Sequence, residues 1–365
     1  MFDLEIPTEP IGSIPRPLAL IESARACEAG EIPRSQLEAL YDAAVEETVR
    51  LFEQTGSPVI TDGEQRKHHN FATYCVDGLE NFAPDGFRIE FTGHTRQWPR
   101  LTKGPFRYRA HADDYLPEAM RLSRVPVKQA VISPSALSLF YPAAGIPDYP
   151  RETFLEDLLR EHESEVRRCL LRGAHCVQID FTEARLACKL DPSRRLLEGF
   201  ITLNNLALSR LSDEERSRVG IHTCPGGDRD TTHSADIDYS ELLPSLFDLY
   251  ARNFYVALAR EPDRLGVLQL IRKHLKPEQR VFVGVIDPLD PQVEDEDEVC
   301  ARVLEAAAVI PLHQLGTTDD CGFAPFSDDL STSRETAFAK IRARVRGTAM
   351  AAEQLSRQSR AGGMR

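Results

Sequence analysis

Residues 281–308 read VFVGVIDPLDPQVEDEDEVCARVLEAAA. The first six form a continuous apolar run, not an alternating one. A strand with one wet face alternates, whereas a strand buried on both faces does not. A turn rich in proline and aspartate follows, then the acidic run from Glu294 to Glu298, then apolar residues at helical spacing as far as Ala308. Carboxylates in a first turn suit the positive end of the helix macrodipole. The stretch predicts a buried strand, a loop and a helix, which is one β/α unit.

The unit recurs along the chain. Apolar runs at 9–13, 59–62, 129–133, 176–180, 220–224, 254–259, 281–286 and 314–318 are expected strands. Helical patterns follow nearly all of them, for example at 34–54, 151–172, 239–251, 263–274, 294–308 and 331–358. Eight such units predict an α/β fold of the (β/α)8 TIM-barrel type, not an open doubly wound sheet. One barrel over residues 1–358 is expected, with a flexible polar tail at 359–365. Residues 87–110 break the rhythm. They alternate and carry turn signals, so they predict a β-hairpin or meander inserted after the second strand. This insertion is basic and holds the sole tryptophan, Trp98. It reads either as a flap that caps the barrel or as a substrate lid.

Composition narrows the function. The 365 residues carry a formal net charge of −13. An acidic surface repels phosphate backbones and anionic lipid, which argues against nucleic-acid and membrane-surface partners. No apolar run is long enough to span a bilayer. The first residues, MFDLEIPTEPIG, lack the basic start and apolar core of a signal peptide, so a cytoplasmic location is expected. The eight cysteines are scattered, which fits a reducing compartment and argues against a disulfide framework.

Active sites of such barrels gather where the strands end, because the following loops converge there. The expected strands close on Ser13, Asp62 with Glu64, Ser133, Asp180, His222 with Cys224, Glu261 just beyond the sixth, Asp287, and Asp319-Asp320-Cys321. So many ionisable groups are hard to explain as packing, since a buried charge is costly unless it is paired or ligating. Residues two apart in a strand point the same way, so His222 and Cys224 aim an imidazole and a thiol at one spot. Cys321 approaches from the end of the last strand. Such a set suits Zn²⁺ at about 2.3 Å from sulfur and about 2.0–2.1 Å from nitrogen, and leaves a fourth position exchangeable. Taken alone, His-x-Cys is a weak sign of a metal site, and core packing is the more common reading. Convergence at one barrel face strengthens the metal reading.

His222-Thr223-Cys224, Asp320-Cys321-Gly322, Ile11-Gly12-Ser13, Gly63-Glu64 and Gln178-Ile179-Asp180 together resemble the motifs of the catalytic, C-terminal half of the cobalamin-independent methionine synthases. Their order and approximate spacing agree over nearly the whole chain. The same superfamily includes zinc-dependent alkyltransferases acting on coenzyme M. The resemblance implies zinc held by His222, Cys224 and Cys321. It also implies a glutamate ligand after the sixth strand, where Leu258 stands near the family position and Glu261 lies three residues on. Ile11, Ser13, Glu64 and Asp180 match positions that hold the amino-acid part of homocysteine. The competing reading for Glu64 and Asp180 is a structural ion pair with Arg16, Arg66 or Arg185. Two departures concern the donor. The family's second, N-terminal barrel has no counterpart here, and Leu289 stands near the place of the family's catalytic histidine.

The expected chemistry is a thiol activated on zinc and alkylated by a methyl or alkyl donor. Asp287, Asp290 and His233 are the candidate acids for the leaving group, with His233 also readable as an ordinary loop residue. The expected partners are therefore a small-molecule thiol and its donor, with self-association left open. The alternatives are an epoxide or alkyl transferase or lyase of the coenzyme M type, a zinc-free decarboxylase-like relative that acts on tetrapyrroles, and a non-catalytic zinc or thiol binder.

Overall fold

The computed structural model describes residues 5–67, 69–91, 95–226 and 232–362. Six parallel strands form its sheet: β1 (Gln129–Ile132), β2 (Val177–Asp180), β3 (Val219–Thr223), β4 (Asn253–Val256), β5 (Arg280–Ile286) and β6 (Leu315–Asp319), in that spatial order. Nearly all of their residues are buried, as continuous apolar runs require. Helices Arg34–Thr55, Arg151–Leu171, Arg264–His274, Glu296–Ala307 and Arg334–Gly362 agree with expected helical stretches to within a few residues at most ends.

The first two expected strands are not ladders. Thr8 bridges Thr317 beside β6, and Ile60 bridges Val127 beside β1, each as an isolated parallel pair. Between these two flanking segments, Ile14 N–H donates to Gly63 O at 3.0 Å and Thr61 Oγ1 to Gly12 O at 2.7 Å. Among the described residues no regular ladder joins them. The sequence there explains the difference: Pro7, Pro10 and Pro15 remove backbone donors, and Gly12 sits at φ 143.

The expected helix over 239–251 is also broken. It becomes a 3₁₀ turn, Tyr239–Glu241, and a short helix, Leu243–Leu246. Helices Leu18–Glu28, Glu183–Leu190 and Arg195–Leu208 are further members of the helical layer, with the shorter Leu116–Leu122, Pro134–Ser138 and Asp213–Ser217. No helix among the described residues is long and apolar enough to cross a membrane.

Register sets the level of each inward residue. Asp180 pairs with His222, His222 with Tyr255, and Tyr255 with Phe282. The Tyr255 and Phe282 rings stack at 4.7 Å and pack on Ile11, plugging the space beneath the site. A Cβ at Gly220 would lie 2.4 Å from Tyr255, and one at Gly316 would lie 2.4 Å from Phe282, so these rings fit only against glycine. The insertion is antiparallel, with Arg88–Glu90 on Thr95–Gln97 and Phe82–Ala83 on Arg100–Leu101. Its tip lies outside the described residues.

Candidate metal centre

β3 carries His222 at its buried end, and Cys224 follows one residue beyond Thr223. Cys321 arrives from β6, whose register shifts between Thr318 and Asp319. That irregularity sends Asp319 outward to Arg344 at 2.5 Å, while the next residues turn toward the strand ends. One ligand atom from each of His222, Cys224 and Cys321 lies within 4.8 Å of the others, and all three side chains are buried. The two sulfurs are 3.0 Å apart.

The imidazole is oriented from behind. Asp180 Oδ1 lies 3.0 Å from His222 Nδ1, and Gln178 Nε2 donates to that same oxygen at 2.7 Å. An ionised carboxylate only accepts, so the proton sits on Nδ1. Nε2 is buried and has no protein partner. Without a metal, burial disfavours the imidazolium, yet the charges on Cys224 and Asp180 push His222 up to about 10. The hydrogen bond from Cys321 and the nearby imidazole make Cys224 more acidic, while the same contact raises Cys321. Two sulfurs and an orphaned imidazole nitrogen converging in a buried space are a donor set that fits zinc.

Asp320 holds this corner together. Its carboxylate accepts N–H groups from Leu258 and Ala259 at 2.8 Å and from Arg260 at 3.2 Å. Burial raises it to about 7 despite those bonds. At the neighbouring glycine, a Cβ on Gly322 would lie 2.0 Å from Ser13 Oγ, so the Cys-Gly step lets the first segment close on the last strand.

The centre forms the floor of a cleft. Ile11, Ser13, Glu64, Asp180 and His233 all line it, as do His222, Cys224 and Cys321. Glu64 has φ 57, a left-handed conformation that costs a non-glycine residue about 1–3 kcal/mol. Arg16 over-determines it by donating to the Glu64 and Lys67 carbonyls at 2.7 Å each. Neither Glu64 nor Asp180 forms an ion pair with Arg16, Arg66 or Arg185. Glu64 pairs with buried Lys67 at 2.7 Å, and Asp180 with His222.

Other expected residues lie elsewhere. Glu261 is in an ion pair with buried Arg185 at 2.8 Å and is absent from the metal-ligand group. Leu258 is fully buried in the main core, and it is Ala257 that packs beside Cys224 and Cys321. The alternation Tyr255, Ala257 faces inward, so a methyl group stands where Leu258 was expected. Asp287 caps a turn through Leu289 N–H, and exposed Asp290 does the same for Gln292; neither lines the cleft. His233 does line it, bonded to Ser234 Oγ at 2.8 Å, and burial with Arg185 and Lys189 lowers it to about 4.

Sequence reasoning missed Lys67, though Lys three residues after Glu64 in one turn was the available signal. It also missed the aromatic wall of Phe71, Phe91 and Phe326, which joins Trp98 and Ile89 from the insertion. The insertion is thus a wall of the cleft. The Cys-Gly-Phe-Ala-Pro-Phe run at 321–326 foreshadowed part of that wall.

Fold and site define a parallel α/β protein with a buried His-Cys-Cys group at the strand ends. Residues 6–345 match the family described as "Cobalamin-independent synthase, Catalytic domain", and the chain belongs to that family. It is 22% identical to the methionine synthase of Saccharolobus solfataricus, over 97% of each chain. It is 26% identical to the 5-methyltetrahydropteroyltriglutamate–homocysteine methyltransferase of Nitratidesulfovibrio vulgaris, over 87% of this chain but only 38% of that longer protein. Its fold is that of the B12-independent methionine synthase from Shewanella sp. W3-18-1, with a TM-score of 0.76 at 18% identity, covering 96% of this chain and 99% of that one.

Proposed function

We propose that this chain is a zinc-dependent methyl- or alkyltransferase whose acceptor is homocysteine or a related amino-acid thiol. The observation that carries the reading is the convergence of His222, Cys224 and Cys321 on the floor of a cleft whose walls present Glu64, Asp180 and Ser13. A zinc ion held there would supply the charge that deprotonates a coordinating thiol at neutral pH. The protein's own part is positioning. His222 presents Nε2 because Asp180 holds Nδ1, and Glu64 and Asp180 offer carboxylates to a substrate ammonium. The aromatic wall would limit water at the reacting sulfur, which would preserve its nucleophilicity. His233 enters the cleft as a neutral imidazole, suited to hydrogen-bond a leaving group.

The cleft lining among the described residues holds no lysine or arginine. The Glu64 and Asp180 carboxylates in the lining support an amino-acid thiol over a sulfonate thiol of the coenzyme M type, and equally over an acidic tetrapyrrole. X-ray absorption at the zinc edge tests the reading. Added homocysteine is expected to bring one further sulfur neighbour, and an unchanged spectrum at saturating thiol would refute it.

A further inference from the structure

Phe71, Phe91, Trp98 and Phe326 line the cleft together with the His-Cys-Cys group. Phe71 and Phe91 each meet Phe326 close to perpendicular, with centroids 5.9 and 6.4 Å apart, so the rings form a corner and not a stack. Phe91 also meets the His233 ring at 5.8 Å. That imidazole is neutral, since burial, Arg185 and Lys189 lower it to about 4. Aromatic faces carry negative potential and attract methylated cations. Phe326 already does this on another side, where the Arg96 guanidinium lies 3.8 Å from its centroid.

Charge points the same way. Two thiolates cancel a zinc dication, so a coordinated thiol substrate would leave the centre with one net negative charge. A thiolate and a cationic methyl donor annihilate their charges on transfer. An apolar surround favours that step, because the transition state is less charged than the reactants. A donor that leaves as an amine needs a proton, and the candidate acids Asp287 and Asp290 cap turns outside the lining. A sulfonium donor leaves as a neutral sulfide and needs none.

We propose that the corner of Phe71, Phe91 and Phe326 binds a methyl-bearing sulfonium cation, and that such a cation is the methyl donor. The donor half rests on the thiol-acceptor reading above. The thiol loses its proton on coordination, before transfer. Its sulfur then forms the new bond to the methyl carbon, the carbon–sulfonium bond breaks, and that electron pair stays on the departing sulfide. No proton moves in the transfer itself.

Trp98 is the sole tryptophan and lines the cleft, so its fluorescence reports occupancy. Choline is titrated beside 3,3-dimethylbutan-1-ol, which has the same shape without the charge. Choline should bind roughly 5–30-fold more tightly, the effect of cation–π contact in a partly dry site. Phe71→Leu keeps an apolar side chain and should cut that preference by roughly threefold or more, with alcohol binding little changed. Phe91→Leu serves the same purpose if Phe71→Leu does not fold. Equal affinity for the two probes, no response to either, or an undiminished preference in the folded variant overturns the cation site. These titrations need neither metal nor thiol. For the donor role, zinc-loaded wild type is given homocysteine and trimethylsulfonium. Methionine and dimethyl sulfide should appear in equal amounts. No release from protein whose zinc-edge spectrum shows the homocysteine sulfur bound overturns the donor assignment alone. If that sulfur is not seen, the acceptor reading has failed and takes the donor role with it, while the titrations still judge the cation site.

Discussion

Lys67 shows how much one residue decides. It is buried and bonded to Glu64, and its ring neighbour Tyr74 lies 4.7 Å from the ammonium. Replacing it with methionine leaves Glu64 a buried charge without its partner. Lys67→Met should cost about 3–5 kcal/mol in urea unfolding, and adding Glu64→Gln should recover much of that. If the double variant is no more stable than the single, the pair is not what holds the loop. At this scale the sequence was informative about which residues meet and poor about how they meet. His222, Cys224, Cys321, Glu64 and Asp180 were legible because strand alternation and strand ends fix direction. Glu261 pairs with buried Arg185, and no local pattern reveals a partner 76 residues away. The step from Leu258 to Ala257 is a one-residue slip, which in a strand reverses the face.

Among the elements, the long helix Arg334–Gly362 is tied to β6 by the fully buried pair Arg344–Asp319 and by Thr348 Oγ1 at 2.8 Å from Thr317 Oγ1. Arg344→Met alone should destabilise by about 3–5 kcal/mol, whereas Arg344→Met with Asp319→Leu should be close to wild type. Thermal and urea denaturation would check both, and equal losses in the single and double variants would contradict this view of the anchor. Trp98 tests the insertion. It is buried, with its ring 5.7 Å from Phe140, so Trp98→Ala should cost about 3–5 kcal/mol and open the cleft to solvent. Elements with strong apolar runs were legible, because burial on both faces leaves a clear mark. The segments at 9–13 and 59–62 were legible in position but not in form, since proline and glycine weaken the ladder that the run implied. The 239–251 stretch failed as a helix because Pro244 sits inside it and interrupts the backbone hydrogen bonding.

On the scale of the whole molecule, buried carboxylates set the pH response. Glu165 accepts from Tyr74 Oη and Ala112 N–H at 2.9 Å each, but its other oxygen is buried without a partner. Burial raises it from 4.5 to about 7. The folded state therefore holds a proton that the unfolded chain has released, and this contribution is full below 4.5 and lost as pH rises to about 7. The loss is about 3 kcal/mol, and Glu165→Gln should gain that much on wild type between pH 5 and pH 8. An equal stability difference at both pH values would contradict it. The His-Cys-Cys group is also a property of the whole chain, because Cys224 and Cys321 are 97 residues apart and meet only when β3 and β6 are in place. The most direct test of the account is the zinc content of purified wild type beside Cys224→Ser and Cys321→Ser. About one zinc per chain in wild type and little in either variant is the predicted result. Stoichiometric zinc retained in both variants would contradict the site.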